Sequence, residues 1–250
     1  MSGLFKGFIN LFLFLFIIIS LKIGFENQKR FKRTIELFQK KFPPLNQESL
    51  NYIKDNNNQI NANSKVLCLI LTTDRQIKDR AIQVHKTWAN KCDKSLFAFN
   101  AKNFTNILHT EEGKRIFQNE NEYIAALELP IMHLNVNESQ DEMGIKVLKL
   151  IQEVYNIYKT EFKWFLLTDD DTYIFIENLY KFISKKSHND PLTYGYNFKT
   201  VVPSGFHSGG AGILFTFESL RRISENIKNG VCNQINAFGD VTLGFCSYLR

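Results

Sequence analysis

The sequence predicts an α/β fold with a largely parallel sheet, and three observations carry that prediction. Short apolar runs of strand length, Val66–Leu71 and Trp164–Leu167, read as buried strands. Apolar stripes at helical spacing alternate with them: Ile77, Ala81, Val84 and Trp88, then Met143, Val147, Leu150, Ile151, Val154, Ile157 and Tyr158. The second strand runs straight into Asp169, Asp170 and Asp171, at the carboxyl edge where open α/β sheets hold their ligands.

The chain begins with an apolar run over residues 7–21, flanked by Lys6 and Lys22 and extendable to Phe25 if Lys22 snorkels. A membrane helix needs about 20 residues, so the run is just long enough. No small-x-small cleavage site follows, so residues 1–25 read as an uncleaved signal-anchor rather than a removed leader. Lys6 alone precedes the run, whereas Lys22, Lys29, Arg30, Lys32, Arg33, Lys40 and Lys41 follow it. That asymmetry by itself points the bulk of the chain to the cytoplasm. Two N-glycosylation acceptors, at Asn103 and Asn137, and an even set of cysteines, Cys68, Cys92, Cys232 and Cys246, point instead to a secretory lumen. The expectation is a single-pass type II membrane protein of the Golgi or secretory pathway. Four cysteines allow three pairings, and no Cys-x-x-Cys zinc or redox spacing is present.

Residues 26–64 are rich in Lys, Asn and Gln, carry Pro43-Pro44 and Asn56-Asn57-Asn58, and read as a stem or linker. The globular domain spans 65–250, enough chain for one sizeable core. The net charge of +6 comes with no basic amphipathic helix and no nucleic-acid motif, so no nucleic-acid partner is expected.

Within the domain, Val66–Leu71 is the first strand, closed by Thr72-Thr73-Asp74, and a helix follows over 77–90. Trp88 is read as core and His85 as a helix-flank residue. Ser95–Phe99 and Pro130–Leu134 are further strands. A helix over 142–159 feeds the acidic strand. Beyond it, Leu179, Phe182 and Ile183 mark a helix, and Thr193–Phe198 a strand. Leu220, Ile223 and Ile227 mark another helix, stopped by Gly230. No internal repeat is visible.

The acidic triplet carries the chemistry. Adjacent carboxylates repel one another, and an oxygen-preferring divalent cation is the natural neutraliser, able also to grip a diphosphate. A solvated acidic turn is the plain alternative. Ser208-Gly209-Gly210-Ala211-Gly212 permits close backbone approach to a ligand, though a tight turn before a strand asks for the same residues. Its spacing is not the dinucleotide-binding fingerprint. Asp240 stands just before an apolar helix start, where Asp is also a common cap. A phosphatase reading of the acidic run fails, because Tyr173 occupies the place that needs Thr.

These segments, taken together and in order, resemble the Fringe-like glycosyltransferases of family 31, and within them the core 1 β1,3-galactosyltransferase branch. Val66-Leu67-Cys68, Thr87-Trp88-Ala89 with Cys92, Trp164–Tyr173, Gly209-Gly210-Ala211-Gly212 and Asp240-Val241 carry the resemblance over residues 65–250. Lys146 sits where the branch has a lysine in the helix before the acidic strand. The resemblance implies a GT-A nucleotide-sugar domain with Asp169 and Asp171 holding Mn²⁺ and Asp170 near the ribose. It implies Thr72 beside the uridine, Gly209 and Gly210 against the donor sugar, and Asp240 as general base. The implied reaction is inverting transfer of galactose from UDP-galactose to GalNAc on a glycoprotein, with room left for a homodimer. It also implies disulfides Cys68–Cys92 and Cys232–Cys246.

Two departures from the family pattern stand out. Gly239 replaces the first of an acidic pair before the Val, and the family continues past the point corresponding to Arg250, where it supplies a histidine to the metal site. His188 and His207 do not match that position. The C-terminal part of the family fold is therefore expected to be missing here. The alternatives are a Fringe-type transferase of another sugar, such as an N-acetylglucosaminyl enzyme, and a non-catalytic lumenal partner or chaperone. The Cys68/Cys92 pattern favours the first reading, and the intact triplet opposes the last.

Overall fold

The computed structural model describes residues 64–117 and 119–248, so the expected anchor and nearly all of the expected stem lie outside the described residues. The first strand, β1 (Val66–Leu71), is followed by a π-helical turn over Ile77–Ala81 that runs on into α1 (Ile82–Thr87). Then come β2 (Lys94–Phe99), three short helices α2 (Lys102–Leu108), α3 (Glu111–Ile116) and α4 (Glu120–Leu127), and β3 (Ile131–His133). The long helix α5 (Met143–Tyr158) leads to β4 (Trp164–Asp169), then α6 (Ile176–Ile183). The rest is β5 (Thr193–Tyr194), β6 (Asn197–Phe198), β7 (Phe206–His207), β8 (Ile213–Thr216), α7 (Phe217–Lys228) and α8 (Gly239–Tyr248).

The main sheet has six strands in the order β3-β2-β1-β4-β8-β5. Strands β3, β2, β1 and β4 are parallel, as the alternating pattern predicts, while β8 runs antiparallel to both its neighbours. Every residue of β1 is buried because the sheet is covered on both faces. Its alternate residues serve different layers. Val66, Cys68 and Ile70 pack with Ile77, Ala81, Trp88 and Ile176 on one face; Leu67, Leu69 and Leu71 pack with Val147, Ile151, Val154 and Leu220 on the other.

Several sequence expectations are corrected in detail. The 77–90 helix ends at Thr87, and its first turn is π rather than α. The expected strand over 193–198 is split: β5 joins the main sheet, whereas β6 pairs with β7 in a separate two-stranded ribbon. Ile157 of the α5 stripe is exposed, and His85 is half-buried, edge-on to the Phe97 ring at 5.9 Å. Helices α2 to α4 have no counterpart in the periodicity. Two of them do carry sequence-legible caps, since Thr110 Oγ1 accepts from the Gly113 amide and Asn119 Oδ1 from the Glu122 amide.

The strand order puts a topological switch point between β1 and β4. The chain leaves β1 toward β2 and β3, then returns to β4 on the other side of β1. In such sheets the crevice beyond the carboxyl ends of those two strands is where ligands sit. Here those ends lead into Thr72 and Asp169–Asp171.

Candidate functional site

Leu71 pairs with Asp169 in the parallel register, so the turns after β1 and β4 face each other. Thr72 Oγ1 donates to Asp170 Oδ2 at 2.7 Å, and both residues are buried. Arg80, on the π-helical turn, reaches the same carboxylates. Its Nη1 donates to Asp170 Oδ1 at 3.2 Å and to Asp171 Oδ2 at 3.0 Å. Asp171 is otherwise exposed. Among the described residues, no hydrogen bond or ion pair reaches the carboxylate of Asp169. Burial pushes its carboxyl up to about 6, reinforced by the charges of Asp171, Asp170 and Asp240 and opposed by Lys146.

The acidic turn is braced from below. Trp88 is core, as expected, but its Nε1 also donates to the Thr172 carbonyl at 3.0 Å. Thr172 Oγ1 in turn donates to the Gly210 carbonyl at 2.9 Å, tying the acidic turn to the glycine loop. That loop is a short 3-10 turn over Gly209–Ala211, and Gly212 then enters β8 with φ of 84°, a conformation that favours glycine. A Cβ placed on Gly209 would stand 3.7 Å from Asp240 Cβ and 3.8 Å from Asp169 Oδ2. Protein packing does not demand glycine there, and the missing side chain keeps the gap between the two carboxylates open.

Asp240 lies in the first turn of α8. Its Oδ2 accepts from the Gly209 amide at 3.1 Å and its Oδ1 from the Val241 amide at 2.8 Å. Each oxygen retains further acceptor capacity. Gly239 is explained by packing, because a Cβ there would fall 2.5 Å from Val147 Cγ2 on α5. The acid of the family pattern does not fit against α5 at this spacing, which leaves Asp240 as the carboxylate at this end of the site.

These residues line one cavity of about 410 Å³, shared by Thr72, Arg80, Lys146, Asp169, Asp170, Asp171, Gly209 and Asp240. Gly210 stands beside it. A second cavity of about 800 Å³ meets the first at Asp240 and Ile213 and is walled by Asn197, Phe206, His207, Gly244 and Ser247. Burial holds His207 below the usual imidazole pKa, opposed in part by the Thr193 backbone. Neither His188 nor His207 lines the first cavity.

The donor set fits a hard cation in kind. Every side chain on the acidic turn offers oxygen, and among the described residues no hydrogen bond or ion pair meets the Asp169 carboxylate, on which Lys146 acts only from a distance. Among the described residues, no group of three or more His, Cys, Asp or Glu is gathered to cage a metal unaided.

Both disulfides implied by the resemblance are formed. Cys68–Cys92 ties the buried middle of β1 to the turn beyond α1, and Cys232–Cys246 ties α8 to the segment before it. Asn103 and Asn137 are exposed. Among the described residues, no helix is long and apolar enough to cross a membrane, and the segment read as an anchor is not among them.

Two contributors were not singled out as site residues from sequence. Arg80 follows three residues after Ile77 and one before Ala81, at the edge of the apolar stripe, a placement that signals a charge facing the sheet edge. Lys146 lies three residues after Met143 and one before Val147, a lysine at core spacing, which demands a buried partner. It has two: its Nζ donates to the Thr72 carbonyl at 2.7 Å and to Glu138 Oε2 at 2.6 Å.

Comparison with known proteins gives a family for the chain. The model of the family described as Fringe-like matches residues 61–249. The chain is similar to the glycoprotein-N-acetylgalactosamine 3-beta-galactosyltransferase 1 of Xenopus laevis, 29% identical over 185 residues, covering 74% of this chain and 45% of that protein. It is also similar to the beta-1,3-glucosyltransferase of Mus musculus, 27% identical over 122 residues, covering 47% of this chain and 24% of that protein. Chondroitin sulfate synthase 3 of Homo sapiens is 23% identical over 187 residues, covering 71% of this chain and 20% of that protein. The chain spans less than half the length of each of these relatives.

Proposed function

This chain belongs to the Fringe-like family of glycosyltransferases, and on that premise we propose that it transfers galactose from UDP-galactose to the 3-hydroxyl of GalNAc on glycoprotein Ser or Thr. The observation that carries the reading is that Asp240 borders both cavities. A base that deprotonates an acceptor while facing a donor needs that position.

In this reading Thr72 and Asp170 hold the nucleoside end of the donor, and Gly209 and Gly210 leave room for its sugar. Asp169 and Asp171 hold a divalent cation such as Mn²⁺. When bound, such a cation offsets the negative charge that develops on the departing UDP. Asp240 takes the proton of the acceptor hydroxyl as that oxygen bonds to the anomeric carbon. The bond from that carbon to the UDP oxygen breaks in the same displacement, so the configuration inverts. The acceptor enters from the second cavity. A lumenal, membrane-anchored setting fits the glycoprotein acceptor, and the exposed Asn103 and Asn137 are available for glycosylation there.

Calorimetry of UDP with the full chain in detergent tests the donor half. We expect binding with Mn²⁺, none with chelator, and none for Asp171→Ala. No binding by a folded wild-type chain overturns the reading. The similarity to a beta-1,3-glucosyltransferase supports a second donor, glucose, and transfer from UDP-glucose rather than UDP-galactose to GalNAc-Ser/Thr peptides would favour it.

A further inference from the structure

We propose that Arg80 exchanges partners on donor binding: it holds Asp171 while no cation is present, and turns to the donor's diphosphate once a cation claims that carboxylate. The inference rests on the nucleotide-sugar reading above and adds to it a residue that recognises the diphosphate.

The two carboxylates bound by Arg80 are not equally held. Asp170 is 6% exposed and also receives the Thr72 hydroxyl, so it keeps a partner whatever Arg80 does. Asp171 is exposed and, among the described residues, its one recorded hydrogen-bond partner is Arg80. A cation that binds Asp171 therefore competes directly with the guanidinium.

Arg80 is also free to serve elsewhere. One nitrogen, Nη1, makes both bonds, and no bond to its remaining N–H groups is recorded among the described residues. Its side chain is 44% exposed and lines the cavity. The other cation there, Lys146, is buried and committed to Glu138 and the Thr72 carbonyl. The cavity carries Asp169, Asp170, Asp171 and Asp240 against these two cations, and a diphosphate adds more negative charge. A planar guanidinium with unfilled donors suits phosphate oxygens. The π-helical turn that carries Arg80 is a form often found at functional sites.

The test titrates Mn²⁺ alone, UDP in saturating Mn²⁺, and uridine into the full chain in detergent, comparing wild type with Arg80→Gln and Arg80→Lys. For Arg80→Gln we expect Mn²⁺ alone to bind about threefold tighter or more, because its competitor is gone. UDP should weaken about tenfold, the loss of one charge-assisted hydrogen bond, and uridine should be unchanged. Arg80→Lys keeps the charge and should hold UDP within about threefold of wild type. Unchanged UDP binding, unchanged Mn²⁺ binding, or uridine weakening in step with UDP would each overturn the proposal, the last by showing that Arg80 only shapes the nucleoside pocket. If Arg80→Gln does not fold, Arg80→Met takes its place with the same expectations, and unchanged UDP or Mn²⁺ binding, or uridine falling with UDP, sinks the idea. Absence of Mn²⁺-dependent UDP binding in the wild type removes the proposed function as well, whereas failure confined to the variants removes the Arg80 assignment alone.

Discussion

A lysine that is 1% exposed has to have its charge met, and Lys146 meets it with Glu138 and the Thr72 carbonyl. Those two bonds fasten the turn after β1 to the segment leading into α5, so the lysine sets where Thr72 stands. Glu138 is exposed and also accepts from the Asn100 amide, so removing the lysine leaves no buried charge uncompensated; the main loss is the donor to the Thr72 carbonyl, about 1–3 kcal/mol. Lys146→Met should therefore destabilise the domain by about that much in urea unfolding and weaken UDP binding. Lys146→Met combined with Glu138→Gln should recover neither the stability nor the binding. A double variant clearly more stable than the single would assign the loss to the ion pair instead. The residue level was partly legible. Asp169–Asp171 announced themselves by charge repulsion at a strand end. Arg80 and Lys146 lie at or beside apolar stripes, which marks them as charges that need partners, but only the folded register shows which carboxylates they meet.

Elements β1, β4, α5 and α7 were readable because their apolar patterns match one period over enough residues. Helices α2 to α4 were not, since each has six to eight residues and too few apolar positions to set a period. The antiparallel β8 was equally hidden, because strand direction is decided by tertiary connection. The contact of α8 on α5 belongs to this scale too. Gly239→Asp, which restores the acid of the family pattern, should collide with Val147 and destabilise by about 1–3 kcal/mol, and adding Val147→Ala should relieve part of that. Thermal unfolding of the two variants checks it. At the start of α7, Glu218 accepts from Arg221 at 2.7 Å and from Arg222 at 2.8 Å, and those bonds hold its carboxyl down at about 2. Its unfolded value is about 4.3, so the contribution is full above that pH and is lost as pH falls toward 2. Because the cluster is partly exposed, solvent reduces it to about 1 kcal/mol. Glu218→Gln should be less stable than wild type by about that amount at pH 7, with the gap closing below pH 3. A gap that persists at low pH would assign the loss to packing instead.

At the scale of the whole molecule the site is a seam. Thr72 and Asp169–Asp171 come from the carboxyl ends of parallel strands, a position that the alternating pattern already assigns to ligands. Gly209 and Asp240 come from the far side of the antiparallel β8, and the sequence alone cannot bring them opposite the acidic turn. Residues 193–198 show why: one continuous-looking strand divides between two sheets, and that division builds the wall of the second cavity. The seam separates the two substrates, so one substitution should separate their readouts. Asp240→Asn keeps an oxygen for the Gly209 amide but surrenders the charge needed to accept a proton. Donor binding rests on the other side of the seam, so UDP with Mn²⁺ should still raise the unfolding midpoint. At a hundredfold excess over Kd, ligand linkage adds about 2.7 kcal/mol, which for a domain of this size is a rise of roughly 5–10 °C. Transfer to a GalNAc-Ser/Thr peptide should fall by at least a hundredfold in the same variant. A lost midpoint shift would place Asp240 with the donor, and retained transfer would remove it as the base. Only an intact shift together with lost transfer agrees with a carboxylate that faces both cavities and acts on the acceptor.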